Sequence, residues 1–130
     1  MKTSVESNKL RKRTNEFSFL LKPSRIAGIG IFAVHGIAKG TYLAFFRESE
    51  PSPLRRVTSK NRFFVERFGV PGGKNAYYCP PDFRWMSIGW YVNHSTKPNA
   101  FHINYRYFAL RDIKAGTEIT IDYRKSVASA

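Results

Sequence analysis

Three stretches of this chain carry residue types that can do chemistry. The segment Trp90-Tyr91-Val92-Asn93-His94-Ser95-Thr96-Lys97-Pro98-Asn99-Ala100 drops from an apolar run into side-chain hydrogen bonders and is fixed by Pro98-Asn99. Asn93 and His94 could present amide and imidazole groups to a purine edge or a carboxylate; an ordinary Asx turn is the competing account. Gly28-Ile29-Gly30-Ile31-Phe32-Ala33 begins like a dinucleotide fingerprint, but Ala33 stands where a third glycine would sit and no long helical pattern follows. Two glycines flanking one residue still permit close backbone approach to a ligand, or simply a tight β turn. Near the C-terminus, Glu118 and Asp122 alternate on an apparent strand that ends at Tyr123, where the competing account is a solvated strand face.

Other chemistries find no support. His94, His102 and Cys79 lack metal-ligand spacing, no acidic residue completes a set, and no metal is expected. No Ser-His-Asp or Cys-His constellation is evident. The aromatics between Tyr77 and Phe108 are dense in tyrosine and tryptophan. Most should fill the core, and the remainder could line a narrow slot for an apolar or cationic guest.

The elements that must position these residues are short. Phe17–Lys22, Ile29–Val34, Thr41–Phe46, Phe101–Leu110 and Glu118–Tyr123 read as strands separated by glycine and proline turns. Arg47–Lys60 reads as a polar surface loop, and Lys60–Phe68 as two helical turns with Phe64 and Phe68 on one face. Many short strands with little helix predict a mainly β fold. Residues 1–16, with Lys2, Lys9, Arg11, Lys12 and Arg13, read as a mobile basic arm. Residues 17–123 form the predicted domain, with a variable insert at 47–88 and a short tail at 124–130.

Composition sets the outer bounds. The 130 residues fit one domain, and 42% hydrophobic content is too high for disorder. A single cysteine excludes an intramolecular disulfide. No apolar run approaches the roughly 18 residues of a membrane span. The polar start and the lack of a small-residue cleavage site after Phe17–Leu21 predict an intracellular, soluble protein without membrane contact, cytoplasmic or at the chromosome if its substrate is there. A net charge of +13 favours an acidic partner, such as nucleic acid or an acidic protein surface.

Taken together and in order, the three stretches resemble the SET-domain protein lysine methyltransferases. Gly28–Ala33 is similar to the family's N-terminal glycine motif, Tyr91–Ser95 with Pro98-Asn99 to its Asn-His-Ser…Pro-Asn motif, and Phe108–Tyr123 to its closing segment ending in Asp-Tyr. The resemblance implies small curved sheets with a pseudoknot-like threading of the C-terminal segment. It also implies transfer of a methyl group from S-adenosylmethionine to a lysine side chain of a protein substrate. S-adenosylmethionine would be bound by Ile29, Gly30, Ile31, Phe32, Tyr91, Asn93 and His94, with Tyr123 as the catalytic tyrosine. Tyr77, Tyr78 and Tyr105 are the candidates for an aromatic lysine channel.

Thr96 stands where many relatives have cysteine, and Trp90 where many have arginine. Only Arg124–Ala130 follow Tyr123, without cysteine, so the chain looks like the minimal SET proteins of viruses and bacteria rather than those with a cysteine-rich closing segment. The missing channel wall could come from a second protomer, from the substrate or from the 47–88 insert. An open channel leaves aromatic surface exposed, which predicts a homodimer. The alternative class is a catalytically silent basic module that binds nucleic acid or an acidic protein.

Overall fold

The computed structural model of the chain describes residues 8–15, 17–47, 53–104 and 106–125. They divide into two compact units, one built from the chain up to Phe45 and from Tyr91 onward, the other from Phe46–Trp90. The first unit opens with β1 (Leu10–Arg11), β2 (Phe19–Pro23), β3 (Ile29–Ala33), β4 (Gly36–Ile37) and β5 (Tyr42–Leu43). The second contains β6 (Leu54–Arg56), α1 (Arg62–Phe68), β7 (Val70–Gly73) and β8 (Ala76–Tyr78). The chain then returns to the first unit with β9 (Asn93–His94), β10 (Ala100–Ile103), β11 (Arg106–Ala109) and β12 (Glu118–Ile121). No helix among the described residues is long and apolar enough to cross a membrane.

The first unit is organised by a four-stranded sheet in the order β2-β3-β12-β9. β2 and β3 form the hairpin expected from their turn, with Leu21 opposite Ile31 and Lys22 opposite Gly30. The late strand β12 enters between β3, antiparallel to it, and β9, parallel to it. That insertion is the step on which the expected threading turns. Because side chains alternate across a strand, the register sorts this sheet into two faces. Ile31, Ala33, Ile119 and Ile121 share the buried face. Each large aliphatic side chain removed from water there contributes about 1.5–3 kcal/mol. Lys22, Gly30, Phe32, Glu118 and Asn93 fall on the other face, since Phe32 pairs with Glu118 and Asn93 with Thr120, two positions along β12.

A second sheet, β10-β11-β5, accounts for much of the aromatic content. Phe101 stacks across the strands on Phe108, which also meets Tyr42, and Tyr107 meets Phe45, itself packed on Phe19. These rings are packing groups. Phe101–Leu110, expected as one strand, is a hairpin instead, because Asn104 adopts φ +50° and reverses the chain. The Thr41–Phe46 strand shortens to Tyr42–Leu43. Within the basic segment expected to be a mobile arm, Leu10–Arg11 pairs in parallel with Gly36–Ile37, so ordered structure begins before Phe17. Residues 1–7 of that segment, and 126–130 of the tail, lie outside the described residues.

The second unit covers almost the same residues as the expected insert. Its sheet runs β6-β8-β7, so Leu54–Arg56, expected in a loop, is a strand paired with β8. The helix forms as expected, with Phe64 and Phe68 in ring contact at 5.1 Å and Phe83 packed on both. Val65, Cys79 and Pro80 are fully buried.

One side chain holds β12 in place. Asn99 donates through Nδ2 to the Glu118 carbonyl at 2.9 Å and accepts through Oδ1 from the Thr120 N–H at 2.9 Å. These are the two ladder positions at which β12 changes partner from β3 to β9. Asn99→Ala strands a carbonyl and an N–H together, at a cost of about 1–3 kcal/mol. A fall in the urea midpoint of unfolding by that amount, with m unchanged, is the expected result; an unaltered midpoint would remove the clamp.

Candidate active site

The face of the main sheet that carries Gly30 is built around Glu118. Its carboxylate accepts the Ser24 hydroxyl at 2.8 and 3.0 Å, and the Asn93 side-chain amide at 2.8 Å. The same Asn93 amide nitrogen reaches the backbone carbonyls of Ala27 and Ile29 at 3.0 and 3.4 Å. Nδ2 is therefore committed to three acceptors, which fixes the amide's orientation and leaves Oδ1 as an acceptor. Gly28 adopts φ +46°, a left-handed conformation in which a Cβ is strained. Gly30 is needed for a different reason: a Cβ there would meet Glu118 Oε2 at 2.1 Å and Asn93 Nδ2 at 3.1 Å. The expectation that this glycine makes room for a ligand changes accordingly, because Glu118 itself occupies the space.

A depression of about 420 Å³ opens beside this network, lined by Lys22, Pro23, Arg25, Phe32, Gly116 and Glu118. The Lys22 ammonium lies 4.8 Å above the Phe32 ring, a cation–π contact. Ile31 is fully buried in the core face, so only its backbone could reach a ligand, whereas Ile29 is half-exposed and Phe32 half-buried. Tyr91 ends a 3₁₀ turn and is half-buried.

Asn93 and His94 are neighbours on β9 and project to opposite faces of the sheet. The His94 Nδ1 accepts the backbone N–H of Tyr123 at 3.0 Å, and the two rings lie 5.2 Å apart. With Nδ1 an acceptor, the neutral imidazole carries its proton on Nε2. His94 is thereby a support for the turn that carries Tyr123. The expected strand to Tyr123 ends at Ile121, so Tyr123 does not alternate inward with Ile119 and Ile121. Its ring is 61% exposed, while its hydroxyl turns in and donates to the Val92 carbonyl. Burial of the hydroxyl end, and then the negative charge of Glu118, push this phenol above its ordinary range. Tyr123 stays neutral at physiological pH and is unsuited to general-base chemistry.

Glu118 and Asp122, expected to share a strand face, have separate tasks. Asp122 lies past the strand end, is buried, and accepts from Arg124 through the backbone N–H at 2.9 Å and the guanidinium at 3.1 Å. The Arg124 guanidinium, foremost, holds its carboxyl down to about 2. Its Oδ1 also lies 3.7 Å from His94 Nδ1, so it backs the Tyr123 turn.

Tyr77 and Tyr78 sit in the second unit, on β8, where adjacent positions face opposite sides of the sheet. Tyr105 lies outside the described residues. Among the described residues, no group of three or more His, Cys, Asp or Glu side chains could hold a metal ion.

The profile of the SET domain matches residues 28–124. The chain belongs to the SET-domain family. A solved structure titled "Plasmodium falciparum putative histone methyltransferase" aligns at 25% identity and a TM-score of 0.50, covering 82% of this chain and 92% of that one. No curated protein matches the sequence. Membership places the chain among methyltransferases and accounts for the small-sheet architecture. In this SET domain, sequence reasoning missed Ser24, Val92 and the site role of Glu118. Ser24 looked like a turn residue. Glu118 was noticed by its alternation with Asp122, yet nothing in the spacing shows that its carboxylate packs on Gly30, about ninety positions upstream.

The depressed pKa of Asp122 makes a signed prediction. Its stabilising contribution is complete above the ordinary carboxylate range and is lost as pH falls toward about 2. Asp122→Asn should therefore lose stability at neutral pH, and its deficit relative to wild type should shrink as pH drops through that interval. Acid titration of the unfolding midpoint for both proteins checks this; a pH-independent deficit contradicts the ion pair.

Proposed function

We propose that this SET domain transfers a methyl group from S-adenosylmethionine to the side-chain amine of a protein lysine. The observation that carries the reading is the placement of Tyr123, whose hydroxyl donates to the Val92 carbonyl immediately before Asn93. The chemistry of the donor set fits such a ligand. Cationic, anionic and aromatic side chains line one depression, and Asn93 keeps Oδ1 as an acceptor beside it. S-adenosylmethionine supplies, when bound, an electrophilic methyl group on a sulfonium.

The residues of the chain supply positioning. With its proton given to Val92, the Tyr123 oxygen keeps lone pairs that can accept an N–H from an incoming amine. That contact would orient the nitrogen lone pair, and orientation of a near-attack geometry supplies a large share of the acceleration for a displacement of this kind. A raised pKa keeps the phenol neutral, so the lysine proton has to leave to solvent, and the exposure of the Tyr123 ring leaves water access there. His94 and Asp122 hold the backbone that carries the ring. Tyr77, Tyr78 and Tyr105 remain proposed walls of the lysine channel. The net charge of +13 suits a substrate lysine in an acidic setting, because like-charge approach costs affinity.

Tyr123→Phe removes one oxygen and nearly preserves volume. Turnover should fall about 10²-fold or more, as expected when one positioned polar group is lost from the transition state. Donor affinity should stay within a few-fold. Transfer of labelled methyl to proteins of a lysate, run beside calorimetric donor titration, measures both. Near-wild-type transfer in the folded variant would overturn the assignment, and equal losses in binding and transfer would make Tyr123 a donor contact.

A further inference from the structure

We propose that Lys22, Arg25 and Glu118 form a reader for a zwitterion, binding the two charged ends of the amino-acid moiety of the methyl donor. Lys22 and Arg25 take the α-carboxylate, and Glu118 takes the α-ammonium. The assignment rests on the donor reading above and goes beyond it by naming what recognises the amino-acid part.

Opposite charges lining one small depression would ordinarily collapse onto each other, since a close ion pair is the simplest way to satisfy both. Here they are held apart. Among the described residues, neither Lys22 nor Arg25 is paired with Glu118, although all three line the same depression. Each is restrained by something else. The Glu118 carboxylate is pinned from two sides by the neutral donors Ser24 and Asn93, and its tip packs against the Cα of Gly30. The Lys22 ammonium is drawn over the Phe32 ring at 4.8 Å. Phe32 and Glu118 are direct partners across β3 and β12, so the cation and the anion stand on neighbouring positions of one sheet face.

The neutral donors leave the negative charge of Glu118 uncancelled, and an aromatic face leaves the positive charge of Lys22 uncancelled. A ligand with an anion and a cation separated by a single carbon satisfies both sets at once. A ligand of one sign satisfies only one of them. The rest of the donor, an adenosine and a sulfur, offers no second zwitterion, so the depression discriminates between ligands with and without the amino-acid group.

The test measures binding, independently of turnover. Wild type, the Lys22→Met/Arg25→Met double variant and Glu118→Gln are titrated calorimetrically with three ligands. S-adenosylhomocysteine has both charged ends, decarboxylated S-adenosylmethionine keeps only the amine, and methylthioadenosine has neither. The double variant, which alters exposed side chains and should fold, is expected to lose about tenfold or more for S-adenosylhomocysteine, as for one charge-assisted contact. It should stay within about twofold for the other two. Glu118→Gln should lose affinity for both amine-bearing ligands and keep its affinity for methylthioadenosine. Equal losses for all three ligands would mean a merely structural role, and unchanged affinities would mean no contact; either overturns the zwitterion reader while leaving the donor reading intact. Failure of the wild type to bind any of the three would overturn the donor reading and this inference with it.

Discussion

The first unit depends on one strand being shared. β12 can satisfy its backbone only by leaving β3 part-way and continuing along β9, since its pairing with β3 covers Glu118 and Ile119 and its pairing with β9 covers Thr120 and Ile121. A buried strand that switches partners needs something to take the backbone groups at the junction. Asn99 does that with a single amide, donor to one residue and acceptor from the next but one. The rest of the site inherits its geometry from this junction. Glu118 is set opposite Phe32 and over Gly30, while the chain that leaves the strand turns at once into Asp122, Tyr123 and Arg124.

Two kinds of polar work are divided between the faces of the sheet. On one, Glu118 gathers Ser24, Asn93 and the carbonyls of the glycine loop, so that four segments distant in sequence meet at one carboxylate. On the other, His94 and Asp122 hold the turn bearing Tyr123. Adjacent residues of the Asn-His pair thus serve different ends, because a strand cannot point two neighbours the same way. This explains why the dipeptide is useful as a unit: it ties the donor face to the reacting tyrosine through a single peptide bond, with little slack between them.

Much of this was legible in the sequence, for reasons that can be named. The Asn-His-Ser and Asp-Tyr motifs are specific because several side chains are needed at once, and short strands punctuated by glycine and proline announce a small-sheet fold. Phe64 and Phe68 declared a helix face. What stayed hidden is non-local. No spacing rule links Gly30 to Glu118, and a solvated face is the natural reading of Glu118 with Asp122. Period-two alternation carried Tyr123 too far, because the Arg124 contacts to Asp122 fold the chain into a turn just after Ile121. Leu54–Arg56 reads as loop because prolines precede it, and it becomes a strand only because β8 offers an edge.

The sharing of β12 has a consequence for how the molecule is made. On the ribosome, β2 and β3 emerge early, and the sheet they begin stays open along one side until residues near 118 have been synthesised. During that interval β3 presents unpaired backbone beside Ile31 and Ala33, an adhesive edge of the sort that nucleates aggregation. The donor face does not yet exist either, since its central carboxylate arrives with the same strand that seals the edge. Completion of the fold and acquisition of the methyl-donor face are then a single late event, and an incomplete nascent chain has no means of sequestering the nucleotide before it can use it.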